Sequence, residues 1–244
     1  MDLGLQGSRV LITGASGGLG GAIAAGFVAE GARVLAASRT DEHPVPDGVA
    51  ARVLADLSAP GAAETLADAA ARELGGLDTL VAAAGGAVKG RVDELSDEAW
   101  DAGLEVNLRS TIRLVRATAP LLKESGGRIV LISALSASEP RPGHVVSNVG
   151  KAGVTALGKT LSRELAADGI LVNCIAPGRI RSRQLDRNFP SDDARAQFAA
   201  AHIPLGRFGS AEEIVPVSLL LGSPANTYIT GQTVGVDGGM AMSL

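Results

Sequence analysis

Thr13-Gly14-Ala15-Ser16-Gly17-Gly18-Leu19-Gly20 is the stretch whose residue types and spacing point most directly to chemistry. It stands between a short apolar run, Arg9-Val10-Leu11-Ile12, and a helical pattern from Leu19 to Glu30 that Gly31 ends. Glycines at 14, 18 and 20 let the chain turn tightly and bring backbone N–H groups up to an anion. The first turn of the helix leaves its N–H groups without partners, and the helix dipole favours negative charge there. Strand, glycine turn and helix in that order predict a pyrophosphate cradle built from Gly14, Ser16, Gly18, Leu19 and Gly20.

The second strand indicates which nucleotide. A site for the unphosphorylated dinucleotide carries an acid at the end of that strand, bonding the adenosine ribose. Here the strand ends Ala36-Ala37-Ser38-Arg39. A serine hydroxyl bonds a phosphate oxygen, and a guanidinium pairs with a 2′-phosphate. Ser38 and Arg39 therefore make NADP(H) the expected cofactor, with Asp41 nearby as a charge that weakens the preference. Asp56, with Leu57 beside it, follows the third strand and is placed for an adenine amino group. An N-cap for the next helix is the alternative reading of Asp56.

The elements that position these residues alternate along the chain. Strands are expected at 9–12, 33–36, 52–54, 79–82, 128–132, 170–174 and 233–236. Helices are expected at 19–30, 62–74, 96–123, 145–167, 183–202 and 211–221, the fifth of them polar. Ser96 is the expected N-cap of the third, with Asp97 and Glu98 in its first turn. Continuous apolar strands are buried on both faces, as in parallel sheets, and right-handed crossovers wind helices onto both sides. The fold class is therefore α/β: one Rossmann-type, doubly wound domain over 1–244.

Composition agrees. Apolar residues make 46% and charged residues 20%, enough for a core and too apolar for global disorder. The net charge is −4, which argues against binding driven by nucleic-acid phosphates. The lone Cys174 forms no internal disulfide, and no apolar run reaches membrane-spanning length. Met1-Asp2-Leu3-Gly4 does not read as a signal peptide. A soluble cytoplasmic protein is the expectation, with no nucleic acid, membrane or metal involved. Phe, Trp and Tyr make only 2%, so the core must come from Ala, Val, Leu and Ile.

Several runs together resemble the short-chain dehydrogenase/reductase family, in the branch that includes 3-oxoacyl-carrier-protein reductases. They are Thr13 to Gly20, Asp56-Leu57, Val106-Asn107-Leu108, Lys151-Ala152-Gly153-Val154, Val172 to Gly178, Tyr228 to Gln232 and Val236-Asp237-Gly238-Gly239. The resemblance covers essentially the whole chain. It implies a seven-stranded parallel sheet and a dinucleotide at its C-terminal edge. It also implies a small-molecule substrate and a homo-oligomer, tetramer or dimer. Ala84, Gly85, Pro177, Gly178 and Ile180 would contact the cofactor, and Lys151 would bond the nicotinamide ribose. A lid over 179–208 would cover the substrate, with Ser182 near the nicotinamide amide.

The family's catalytic set is Asn, Ser, Tyr and Lys, with Tyr four residues before Lys. Asn107 and Lys151 match it. Ser147 stands at the Tyr position and Ala134 at the Ser position, flanked by Ser133 and Ser136. Ser147-Asn148 is similar to a subset of the family that lacks this Tyr. The one tyrosine, Tyr228, belongs to another motif. An alkyl hydroxyl such as that of Ser147 is a hydrogen-bond donor but a poor general acid, and general acid help is worth about 10²–10⁴-fold. Three rescues stand open: Lys151 giving a proton through water, with Asn107 as anchor; an acidic substrate assisting itself; or His144. The last lies seven residues before Lys151, the Tyr-to-Lys interval of the enoyl-reductase branch.

Three functions follow. The leading one is an NADP(H)-dependent oxidoreductase acting on a ketone, quinone, polyketide or oxoacyl thioester with an atypical proton donor. The others are a non-redox enzyme (cyclase, dehydratase or isomerase) and a nucleotide-binding or assembly protein without catalysis. Arg141, Arg179, Arg181, Arg183 and Arg187 flank the substrate side, as an attractor of anions or as a solvated basic face.

Overall fold

The structure, a computed structural model, describes residues 2–182, 185, 189 and 191–243. Seven parallel strands form one sheet in the order β3-β2-β1-β4-β5-β6-β7. They are β1 (Arg9–Thr13), β2 (Arg33–Ser38), β3 (Ala51–Leu54), β4 (Thr79–Ala82), β5 (Arg128–Ile132), β6 (Leu171–Pro177) and β7 (Thr233–Val236). The expected doubly wound sheet is thus present. β2 runs on through Ser38, which makes that residue part of a strand. β6 starts after Ile170 and continues to Pro177.

Each inner strand divides its side chains between two cores, as a period of two requires. Leu11, Leu80, Ile129 and Leu131 face one layer, while Val10, Ile12, Val81 and Val130 face the other. The first layer is closed by α2 (Ala62–Ala69), α4 (Ser110–Ser125) and α5 (Val145–Glu164). The second is closed by α1 (Gly18–Ala29) and α7 (Val215–Leu221), with Phe27 the largest side chain sealed in it.

The helix expected over 96–123 is two helices. Ser96 caps α3 (Asp97–Leu104), its hydroxyl accepting from Ala99 N. Glu105–Arg109 then forms a π-helical turn before α4. Such bulges gather at functional sites, because the wider turn redirects a side chain. A similar π turn, Ala70–Leu74, ends the second helix. Of the polar segment 183–202, the described helix is α6 (Asp192–His202), capped by Ser191. Arg183 and Arg187 lie outside the described residues. Among the described residues no helix is long and apolar enough to cross a membrane.

Candidate active site

A cleft of about 610 Å³ opens at the C-terminal edge of the sheet, over β1 and β4 where the strand order reverses. This crevice is where open α/β sheets bind ligands. At its centre the β1–α1 turn exposes backbone. Gly14 (φ +71°) is held so close to β4 that a Cβ would stand 3.2 Å from the Ala83 carbonyl. A Cβ on Gly20 would come within 2.4 Å of the Gly14 oxygen. Only glycine fits both, and the turn packs flat against the sheet. Gly17 caps α1 without a side-chain bond, and no acid stands in the first turn. A twelve-residue helix thus presents its positive end to the cleft. The residues present fit a dinucleotide pyrophosphate, and Gly14, Ser16, Gly18, Leu19 and Gly20 all line the wall.

One end of the cleft carries Ser38, Arg39, Asp56 and Leu57. The Ser38 hydroxyl donates to Thr40 O at 3.1 Å, and Arg39 is exposed. Asp56 Oδ1 accepts from the Ser58 hydroxyl (2.6 Å) and backbone N–H (3.0 Å), and these bonds hold its carboxyl below the usual range. The N-cap of α2 is Gly61, so the capping alternative for Asp56 is corrected. Thr40, Glu42 and His43 also line this end, whereas Asp41 does not. Arg52 braces the loop from behind, donating to Thr40 O (3.0 Å) and His43 O (3.3 Å). The sequence pattern marked none of these four, because loop residues carry no periodicity.

The other end gathers Asn107, His144, Ser147 and Lys151, together with Ala84 and Gly85. Asn107 sits on the π turn. Its Nδ2 donates to Gly103 O (3.0 Å) and its Oδ1 accepts from Gly86 N (3.1 Å). Gly150 lets α5 approach it, since a Cβ there would lie 3.0 Å from Asn107 Cβ. Lys151 Nζ donates to Ile132 O at 2.8 Å, and burial lowers its pKa from 10.5 to about 8. His144 starts α5, its Nδ1 3.2 Å from Pro142 O.

Ser147 is committed to the framework. Its Oγ accepts from Val88 N (3.0 Å) and faces Val88 O (3.3 Å) as donor. Asn148 Nδ2 donates to Arg141 O at 2.8 Å. The pair at the phenol position thus fastens two cleft loops to α5. Ser133 is likewise internal, bonded to Lys151 O and Thr155.

Pro177, Gly178 and Ile180 do not reach the cleft wall. Pro177 ends β6, and Ile180 is buried beside Gly209. A Cβ on Gly178 would meet Asp237 Cβ at 2.6 Å, so a backbone approach explains that glycine. Ser182 does line the cleft, across from Gly18.

Residues 14–241 match the family described as enoyl-(acyl carrier protein) reductase. The chain belongs to the short-chain dehydrogenase/reductase family, whose members here are oxidoreductases. It is 37% identical over 244 residues to nodulation protein G of Rhizobium sp. (strain N33), covering 98% of each chain. It is 35% identical over 246 residues to the 3-oxoacyl-(acyl-carrier-protein) reductase FabG of Escherichia coli, covering 98% of this chain and 100% of the relative. The solved L-sorbose reductase from Gluconobacter frateurii, complexed with NADPH and L-sorbose, matches with a TM-score of 0.93 at 32% identity over all of both chains.

Proposed function

We propose that this chain is an NADP(H)-dependent oxidoreductase that reduces a carbonyl or conjugated carbonyl, with Lys151 as the proton source. The observation that carries this reading is Lys151 itself. An ammonium group beside Asn107, with a pKa near 8, replaces a missing phenol in the range where acid catalysis works.

The nicotinamide, when bound, supplies the hydride. The chain's own residues do the rest. Gly14, Gly18 and Gly20 receive the pyrophosphate, and Arg39, joined by Ser38 once its hydroxyl turns from Thr40 O, takes the 2′-phosphate that distinguishes the phosphorylated nucleotide. Lys151 Nζ, held by Ile132 O, orients the ribose and keeps a proton ready. Hydride arrival builds negative charge on the substrate oxygen, and Lys151 Nζ releases its proton to that oxygen through a water. Ser147 shapes the wall rather than donating, because Val88 occupies both sides of its hydroxyl. We also propose a cytoplasmic homo-oligomer, dimer or tetramer, with residues 179–208 as a substrate-side lid. Exposed Ile112 and Val149 on α4 and α5 suit a covered face.

The test is nucleotide binding followed by turnover. Reduced NADPH should bind and be oxidised by a ketone, quinone or oxoacyl thioester. The rate should fall as pH rises through about 8, since the donor must be protonated. Lys151→Met should lose at least tenfold in turnover and lose that pH limb. Arg39→Ala should weaken NADPH by about tenfold while sparing NADH. A pH limb unchanged in Lys151→Met would overturn the donor assignment. A similar loss carried by His144→Ala would transfer the role to that ring.

A further inference from the structure

Arg52 is the one charged side chain on β3, an edge strand of the sheet. The register pairs Ala36 with Arg52 and Ser38 with Leu54, so Arg52 and Ser38 leave the same face of the sheet as diagonal neighbours. Arg52 Nη2 reaches three oxygens beside it: Thr40 O at 3.0 Å, His43 O at 3.3 Å and Ser38 Oγ at 3.4 Å. Among the described residues no carboxylate pairs with this guanidinium. Ordering so long a side chain costs entropy, and three acceptors converging on one nitrogen offset that cost.

The chain from Arg39 to Ala50 carries no helix or strand of its own. Thr40, Glu42 and His43 of that segment line the cleft with Ser38 and Arg39. Arg52 therefore holds the backbone of this wall from outside, and its contacts with Ser38 and Thr40 flank Arg39 on both sides. The bonding around Ser38 suits an exchange of partners. Its hydroxyl donates to Thr40 O at 3.1 Å, and Thr40 O also accepts from Arg52. A ligand oxygen that takes the Ser38 proton thus leaves Thr40 O still paired, and no carbonyl is stranded. Arg52 Nη2 meanwhile faces a lone pair of Ser38 Oγ, so the proton is what Ser38 has left to offer.

We propose that Arg52 is a positioning residue for the nucleotide 2′-phosphate. It keeps Ser38 a donor and fixes the backbone around Arg39, so preference for NADPH over NADH belongs to β3 as well as to the end of β2. Arg52 stands behind the cleft wall and acts through Ser38 and Thr40. This inference rests on the reading that this end of the cleft takes the 2′-phosphate.

Fluorescence titration of the full chain with NADPH and with NADH tests it. Wild type should prefer NADPH. Arg52→Met should weaken NADPH at least tenfold and NADH less than threefold. Arg52→Lys, which keeps a charged donor and loses the fork, should fall between. In a Ser38→Ala background, Arg52→Met should cost NADPH at least threefold less than it costs wild type, because part of its effect passes through that hydroxyl. Equal weakening of both nucleotides would make Arg52 a loop brace without a part in specificity and overturn the proposal. Equal costs with and without Ser38 would overturn it as well, since Arg52 would then act independently of that donor. A wild-type preference that survives in Arg52→Met sinks the role of Arg52 alone. A wild type that binds NADPH no better than NADH sinks the cofactor reading and this inference together.

Discussion

Lys151 should make this protein's stability depend on alkaline pH in a way that one substitution removes. Its ammonium group is shielded in the cleft wall and loses its proton near 8, against 10.5 in the open chain. That gap corresponds to about 3 kcal/mol. The folded pKa lies below the unfolded one, so between the two the unfolded chain binds more protons. The penalty is therefore complete below about pH 8 and is relieved as pH rises toward 10.5. In Lys151→Met it is absent at every pH. Loss of the bond to Ile132 O shifts the variant by a constant amount, which cancels when two pH values are compared. Urea unfolding of both proteins at pH 7 and pH 10 should show wild type gaining about 2–3 kcal/mol relative to the variant. A difference that stays constant would show that the site does not depress this lysine, and the proton-source assignment would fall with it.

Two further outcomes are expected. Gly20→Ala should weaken NADPH at least tenfold in a fluorescence titration, because its Cβ would stand 2.4 Å from Gly14 O and the cradle must shift. Ser147→Ala should cost about 1–2 kcal/mol in urea unfolding through the lost Val88 bonds, yet change kcat less than threefold. A kcat loss of tenfold or more would return that hydroxyl to the chemistry.

The glycine turn after β1 and the order of elements were legible because both are local. Glycine spacing, strand periodicity and the Ser96 cap are written within a few neighbouring residues. The active end was legible only as a set of positions. That Asn107 stands on a π turn depends on one extra residue of winding that no hydrophobic pattern marks. That Ser147 is committed to Val88, 59 residues away, depends on loop packing. Arg141 reads in the sequence as a solvated charge, and its place in the cleft wall depends on the loop that Asn148 fastens to α5. The Ser38 boundary moved for a related reason: β3 pairs Ser38 with Leu54, and this partner prolongs β2 past its apolar run.

Glu139 ties Met242 and Ser243 to the same rim that carries Arg141. Residues 242–243 are thus a guy-rope on one wall of the cleft. Whatever pulls on residues 242–243 therefore pulls on the segment that sets Arg141 in the cleft wall.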